Sequence, residues 1–453
     1  MSTAAKRLGW SGIARLGLVQ ACIGAIVVLT TSTLNRVMVV ELALPALVPG
    51  LLVALHYVVQ LLRPRMGFGS DLGGRRTPWI LGGMALLALG GVAAAAATAW
   101  MGTQAGAGTA AASLAFLMIG LGVSAAGTNL LVLLAKSVDE SRRAPAATLV
   151  WIMMIVGFAL TAGSAGRFLD PYSPERLVAV TAVVSALAMT LTMVALIGVE
   201  PHASGQASAP AAEAEPRKPP FREALAEVWR EPQARHFTIF IFVSMLAFSA
   251  QDLILEPFAG LVFGYTPGQT TTLSGLQHGG VLAGMLLVAL ACGPWARGHG
   301  GAVQTWVTGG CVVSALALAG LVLAGFVGPG WPLATNVFLL GAANGAFSIA
   351  AIGAMMTLAS EGRERREGTR MGLWGAAQAL AFGGGGLLGS LASDVARAWL
   401  GSPGPAYAAV FGAEALLFVV SAWLALRIDG LPSSRITPRA VSPVVAQPGG
   451  NHG

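Results

Sequence analysis

The sequence predicts an all-α polytopic membrane protein with twelve transmembrane helices, and three observations carry that prediction. Of 453 residues, 55% are hydrophobic and only 10% charged, against about 25% charged in a soluble domain. The charges are gathered into short clusters separated by apolar intervals of spanning length, as the cost of an ionised group at mid-bilayer requires. The 60 glycines, with abundant alanine, suit close helix packing in lipid, whereas the short alternating segments of a β-barrel do not occur. At about 20 apolar residues per crossing, the apolar content suffices for about twelve spans and little else.

The charge-free intervals run from Leu16 to Asn35, Leu42 to Leu62, Thr77 to Ala135, Ala144 to Gly166, Leu177 to Val199, Pro257 to Ala296, Gly298 to Ser360 and Met371 to Ser393. Two are hairpins, broken at Gly102–Thr109 and at Gly328-Pro-Gly-Trp-Pro332, both strong turn compositions. The seventh span is expected near 237–261, the eighth near 272–292, and the twelfth between Pro405 and Leu426. With a cytoplasmic N-terminus, 23 of the 27 Lys and Arg residues fall in cytoplasmic segments, leaving Arg36, Arg167, Arg176 and Arg397 outside. That asymmetry places both termini in the cytoplasm. The first span lacks a small-residue cleavage pattern and is expected to be retained.

The longest polar interruption divides the chain into a six-helix half (1–199), a linker (200–236), a second six-helix half (237–428) and a polar tail (429–453). The linker opens with an Ala/Pro/Ser/Glu stretch that has no capacity for a core. It closes with Phe221, Leu225, Val228 and Trp229 on one face of a short interfacial helix. The tail is expected to be disordered. The net charge of +7 is accounted for by topology, so nucleic acid is not expected as a partner. Cys22, Cys292 and Cys311 lie far apart in apolar stretches and suggest neither a disulfide framework nor a metal site.

Polar residues inside the spans are the candidate functional groups. Asp252 and Glu256, four residues apart, share a face of the seventh span. Arg36 and Glu41 stand at the corresponding end of the first. Arg36 paired with Asp252 or Glu256 would form an outer gate or brace. His56 with Gln60 in span two, and Gln277 with His278 in span eight, occupy equivalent places in the two halves. Neutral imidazole can ligate a metal centre axially, the magnesium of a chlorin included, and buried histidines also serve as interhelical hydrogen bonders. No direct protein-metal site is expected. Asn336, Asn344 and Gln378 suit interhelical hydrogen bonding. Glu414 is the acid placed nearest mid-bilayer. There is no G-x-x-x-x-G-K loop, H-E-x-x-H, C-x-x-C or D-D-x-x-D, so neither ATP hydrolysis nor prenyl transfer is expected, and the protein is not read as an enzyme.

The loop after span two reads Gly67-Phe-Gly-Ser-Asp71-Leu-Gly-Gly74-Arg75-Arg76 and resembles the G-x-x-x-D-x-x-G-R-R signature of the major facilitator superfamily. The resemblance implies that Asp71, Arg75 and Arg76 latch the cytoplasmic face against span eleven, which opens with Glu367-Gly368-Thr369-Arg370. Three further stretches, Thr33-Leu-Asn-Arg-Val-Met-Val-Val-Glu-Leu42, Gln251-Asp-Leu-Ile-Leu-Glu-Pro257 and Gly368-Thr-Arg-Met-Gly-Leu-Trp-Gly-Ala-Ala-Gln378, resemble the PucC and LhaA branch of that superfamily. Ala43-Leu-Pro-Ala46, Pro49-Gly50 and Leu55-His56-Tyr57 are most similar to its member associated with bacteriochlorophyll synthesis genes. The resemblance implies a protein of the bacterial inner, intracytoplasmic photosynthetic membrane. Such a protein would bind, deliver or insert bacteriochlorophyll or a precursor, with light-harvesting antenna polypeptides, membrane lipid and the bacteriochlorophyll synthase as partners. The alternative is a proton-coupled secondary transporter of a lipophilic small molecule, working through Asp252, Glu256 or Glu414.

Overall fold

Helices form where the charge-free intervals lie, because a chain crossing lipid must satisfy its backbone polar groups internally. The computed structural model describes residues 8–60, 75–200, 229–292, 303–361 and 367–428. In chain order the helices are α1 (Trp10–Glu41), α2 (Leu47–Val59), α3 (Thr77–Met101), α4 (Ala105–Ser137), α5 (Glu140–Leu169) and α6 (Pro174–Leu196). The second series is α7 (Pro232–Phe263), α8 (Pro267–Cys292), α9 (Val303–Val327), α10 (Leu333–Glu361), α11 (Glu367–Leu400) and α12 (Pro403–Leu426). Eleven are long and apolar enough to cross a membrane. The other, α2, is an apolar helix of 13 residues running to the edge of the described block. The interfacial helix expected at 221–229 lies outside the described residues except for Trp229, and so does the tail.

Helix ends differ from expectation. α7 runs from Pro232 to Phe263 instead of 237–261, and α8 starts at Pro267 instead of 272. Between them the turn is made by Gly264, whose φ of 70° is the left-handed conformation that closes a helix C-terminus. The Thr- and Gln-rich start of α8 looks like a loop by composition, yet Pro267 at its first turn and the Thr266–Gln269 capping contacts make it helical. Likewise α4 resumes at Ala105, so the Gly-rich stretch to Thr109 is mostly helix.

The two series pack alike. α1 lies on α5 as α7 does on α11, α2 on α4 as α8 on α10, and α3 on α6 as α9 on α12. One buried cluster gathers side chains of α1–α6 with Leu253, and another gathers those of α7–α12. The halves meet where α5 crosses α8 and α2 crosses α11, with α1 against α7 and α8. We call the face that carries Trp10 and Ile428 the terminal face and the opposite one the distal face. Exposed tryptophans mark both: Trp10, Trp229 and Trp423 on the first, Trp100 and Trp399 on the second, as amphipathic rings at a bilayer interface do. Asn336 donates to the Ala317 carbonyl, Ser314 to Asn344, and Gln378 to Met245 Sδ, so these amides and their partners join neighbouring helices. The three cysteines are free.

On the terminal face two charged residues finish helix ends. Arg15 of α1 donates to the Ala195 and Ile197 carbonyls at the end of α6. Glu200 accepts from the Arg76 and Thr77 backbone N–H groups (2.7 and 2.8 Å) and from the Thr77 hydroxyl (2.7 Å), capping α3. Partial burial pushes this carboxyl up, but those donors and the Arg75 charge outweigh it and hold Glu200 below its ordinary value. A depressed carboxyl contributes stability that is present above its ordinary pKa and lost as pH falls through the depressed one. Glu200→Gln, which keeps an acceptor but removes the charge at the N-terminus of α3, is therefore expected to cost about 0.5–1 kcal/mol at neutral pH, read as a lower Tm in detergent. The difference should vanish once acid protonates Glu200, and equal Tm values at neutral pH would contradict the cap.

Candidate functional site

α5 and α8 come together because glycines line both. A Cβ on Gly275 would stand 2.5 Å from the Gly163 nitrogen, and one on Gly166 would stand 2.6 Å from the Gly268 carbonyl. Small residues permit such approach where lipid supplies no hydrophobic drive. This contact sets Phe158 of α5 edge-on to His278 of α8, with ring centroids 4.9 Å apart. His278 Nδ1 donates to the Ser274 carbonyl at 2.8 Å. A carbonyl can only accept, so the proton sits on Nδ1 and the lone pair on Nε2, the arrangement that prepares an imidazole to ligate a metal. The ring is half-buried. Beside it Ile155, Val281 and Met285 form a small apolar cluster with Met154, Leu282 and Ile349, so α5, α8 and α10 together line an apolar seam between the halves.

The other candidates are placed differently. His56 is buried where α2 meets α4, its carbonyl 2.7 Å from a Cβ built on Gly120. Its Nε2 is engaged by Gln60 at 2.8 Å, which leaves that nitrogen no vacancy for a metal. Gln277 is buried where α8 packs on α10, its carbonyl against Gly341. It is not brought together with His278, since adjacent helical residues face different ways. Near His56 a chain of half-buried rings, Tyr57, Phe382 and Phe248, runs from α2 through α11 to α7. The interior at this level is aromatic and apolar.

The expected pairing of Arg36 with Asp252 or Glu256 is not the one formed. Arg36, only 2% exposed, is paired with Glu41 of its own helix and donates to the Tyr265 carbonyl at 2.7 Å. The reason is local winding. Val37–Glu41 is π-helix, and the wider turn swings a residue five positions on toward the face of Arg36. Glu256 is buried with Thr270 and Ser274 of α8 beside it and Arg36 within electrostatic reach, but neither carboxylate oxygen has a hydrogen bond of proper geometry. Asp252 acts on Glu414 of α12, whose carboxylate is 3% exposed with both oxygens unbonded. Arg36, Glu41, Asp170, Tyr172 and the α7–α8 turn line a distal cleft of about 590 Å³. Burial and the Glu41 charge push the Tyr172 hydroxyl above its ordinary value, with Arg36 opposing.

Of the signature residues, Asp71 lies outside the described residues. Arg75 is exposed and Arg76 buried, and the backbone of Arg76 belongs to the Glu200 cap. At the start of α11, Arg370 is held by Glu231, the residue that precedes α7, through contacts of 2.8 to 3.1 Å. Sequence reasoning missed Phe158, Glu200, Asp170 and Asp394. Phe158 carries no polar signal, and the three acids sit at helix ends, where a charge looks like mere topology. If the α5–α8 approach builds the seam, Gly275→Leu is expected to destabilise by about 2 kcal/mol or more. Gly82→Leu, on an exposed face of α3 with nothing within 4 Å, should be tolerated. Thermal unfolding in detergent compares the two, and equal stability would contradict the packing.

The family model described as PUCC protein matches residues 33–430. The bacteriochlorophyll synthase 44.5 kDa chain of Rhodobacter capsulatus is 54% identical over 418 residues, covering 92% of this chain and 95% of that one. Protein PucC of Cereibacter sphaeroides is 31% identical over 434 residues, covering 91% and 90%. Among solved structures, the D-xylose-proton symporter aligns with a TM-score of 0.67 at 13% identity, covering 94% of this chain and 98% of that one. An inward-facing, unoccupied bacterial homologue of the lysosomal transporter Spinster aligns with 0.63 at 14% identity, covering 91% and 95%. At such identities the likeness establishes the fold, which is that of major-facilitator transporters. The extent of the family match and the 54% identity together make this chain a member of the PucC family of integral membrane proteins.

Proposed function

We propose that this protein holds bacteriochlorophyll or one of its precursors within the bilayer and hands it on during pigment synthesis and light-harvesting antenna assembly. The observation that carries the reading is the half-buried His278 beside an apolar seam, with its Nδ1 proton fixed on Ser274 and the lone pair therefore on Nε2. A magnesium chlorin brings its own equatorial nitrogens, so one imidazole suffices as axial ligand, and an apolar wall suits the insoluble macrocycle. The name of the relative at 54% identity, the bacteriochlorophyll synthase 44.5 kDa chain, supports the same class of cargo. The sequence holds no diphosphate-binding D-D-x-x-D pair, so we assign this chain pigment handling beside the synthase and not prenyl transfer. Antenna polypeptides and the synthase are the proposed protein partners. The terminal face is proposed to be cytoplasmic on the distribution of Lys and Arg, in the inner, intracytoplasmic photosynthetic membrane.

The acids at depth favour a second reading, proton-coupled transport of a lipophilic molecule. Asp252, Glu256 and Glu414 lie along α7 and α12, and neither Glu256 nor Glu414 has a well-formed hydrogen bond. Flux of a lipophilic dye into vesicles under an imposed proton gradient, abolished by Glu414→Gln, would favour it.

Absorption spectra test the pigment reading. Protein purified in mild detergent from a pigment-producing phototroph is expected to carry a near-infrared band absent from an unrelated membrane protein prepared alongside. His278→Ala should reduce the band about tenfold, the factor expected for loss of about 1.4 kcal/mol of binding, and His56→Ala should leave it unchanged. A band equal to the control, or one lost with His56 and kept without His278, would contradict the proposal.

A further inference from the structure

The distal face holds two carboxylates that cross between the halves in a reciprocal pattern. Asp170, just past the end of α5, accepts from the Thr266 hydroxyl at 2.6 Å and from the Gly268 backbone N–H at 3.1 Å, and so caps α8 of the second half. Asp394, near the distal end of α11, accepts from the Ala46 and Leu47 backbone N–H groups at 2.9 and 2.8 Å, and so caps α2 of the first half. α5 and α11 occupy equivalent places in the repeated packing, and so do α2 and α8. Each half thus lends an acid to the N-terminus of the other half's second helix, where the dipole and the unpaired N–H groups favour negative charge.

Other contacts at this face point the same way. Arg36 grips the Tyr265 carbonyl in the α7–α8 turn, and Asn35 donates to the Leu253 carbonyl at 2.6 Å. The equivalent α1–α2 turn contains Ala43 at φ 51°, a conformation an alanine keeps only when its surroundings hold it. Backbone contact between Gly166 and Gly268, and a Cβ position on Gly50 only 2.8 Å from Ser390, leave no slack beside either cap. Each cap also borders a shallow distal cleft, one lined by Asp170 and Thr266, the other, about 500 Å³, by Ala43 and Asp394.

We propose that Asp170 and Asp394 form a two-point lock that holds the distal face closed, each acid fastening the opposite half's hairpin turn, so that separating the halves on this side requires both caps to break. The inference is independent of what the protein carries. It makes the distal face the locked side and leaves movement to the terminal face.

Spin labels at Thr103 and Thr335, both exposed on the distal face in opposite halves, report the opening when the native cysteines are replaced by alanine and the protein is placed in nanodiscs. One narrow distance distribution is expected for the parent. Asp170→Ala and Asp394→Ala should each raise the open-to-closed ratio roughly tenfold, and the pair about a hundredfold, from the usual worth of a helix cap. An unchanged distribution in the folded double variant would overturn the lock. Hydrogen exchange on the unmodified protein gives a second test that needs no variant: the Ala46, Leu47 and Gly268 amides should exchange slowly and, once corrected for their intrinsic rates, with one common protection factor, since one opening frees all three. Fast exchange or unrelated protection factors would overturn it equally.

Discussion

The close approach of α5 and α8 is the constraint on which the rest of this structure depends. In lipid, two helices gain nothing by hiding apolar surface from one another, so they associate through backbone proximity and the few polar contacts that proximity allows. Gly166, Gly268 and Gly275 remove the side chains that would keep the two backbones apart. Everything that joins the halves then falls into reach. Phe158 meets the His278 ring, Asp170 lies over the start of α8, and the apolar side chains of α5, α8 and α10 close into one seam.

The same low-dielectric setting sorts the polar groups. Where the halves meet at the distal face, carboxylates and carbonyls find N–H and hydroxyl partners, with Thr33 and Thr271 adding a hydroxyl contact of 3.1 Å. Deeper along α7, Gln251 is wholly buried with both amide atoms unbonded, and Glu256 and Glu414 likewise lack well-formed hydrogen bonds. A family that only needed to stay folded would gain by replacing such groups with apolar ones, because an unmet buried polar group costs free energy. Glu256 and Glu414 add ionisable groups on α7 and α12 to an interior that also buries neutral polar side chains such as Asn129, Thr192 and Asn344.

Much of this architecture is legible in the sequence because charge avoidance in lipid is a strong and local rule. The intervals between charges located ten helices, two further apolar stretches that carry acids gave the seventh and twelfth, and Gly328-Pro-Gly fell in the turn between α9 and α10. Errors arose where composition misreports conformation. Thr266–Gln269 looks like loop but caps α8. Arg36 found Glu41 because of a π-helical stretch that no pattern of apolar residues announces. The two histidines look equivalent in sequence, and only their surroundings separate them: Gln60 engages Nε2 of one, while Ser274 fixes Nδ1 of the other. Asp170 and Asp394 were hidden for a different reason, since their partners are backbone N–H groups, which every residue but proline possesses.

The central claim is that pigment is held at the α5–α8 seam by His278. A density map of the pigment-loaded protein in a lipid nanodisc tests it most directly. The account predicts a flat macrocycle lying beside the α5–α8 glycine contact, its central magnesium on His278 Nε2 and its face against the Ile155, Val281 and Met285 cluster. Macrocycle density elsewhere in the bundle, or only among the surrounding lipids, would contradict it.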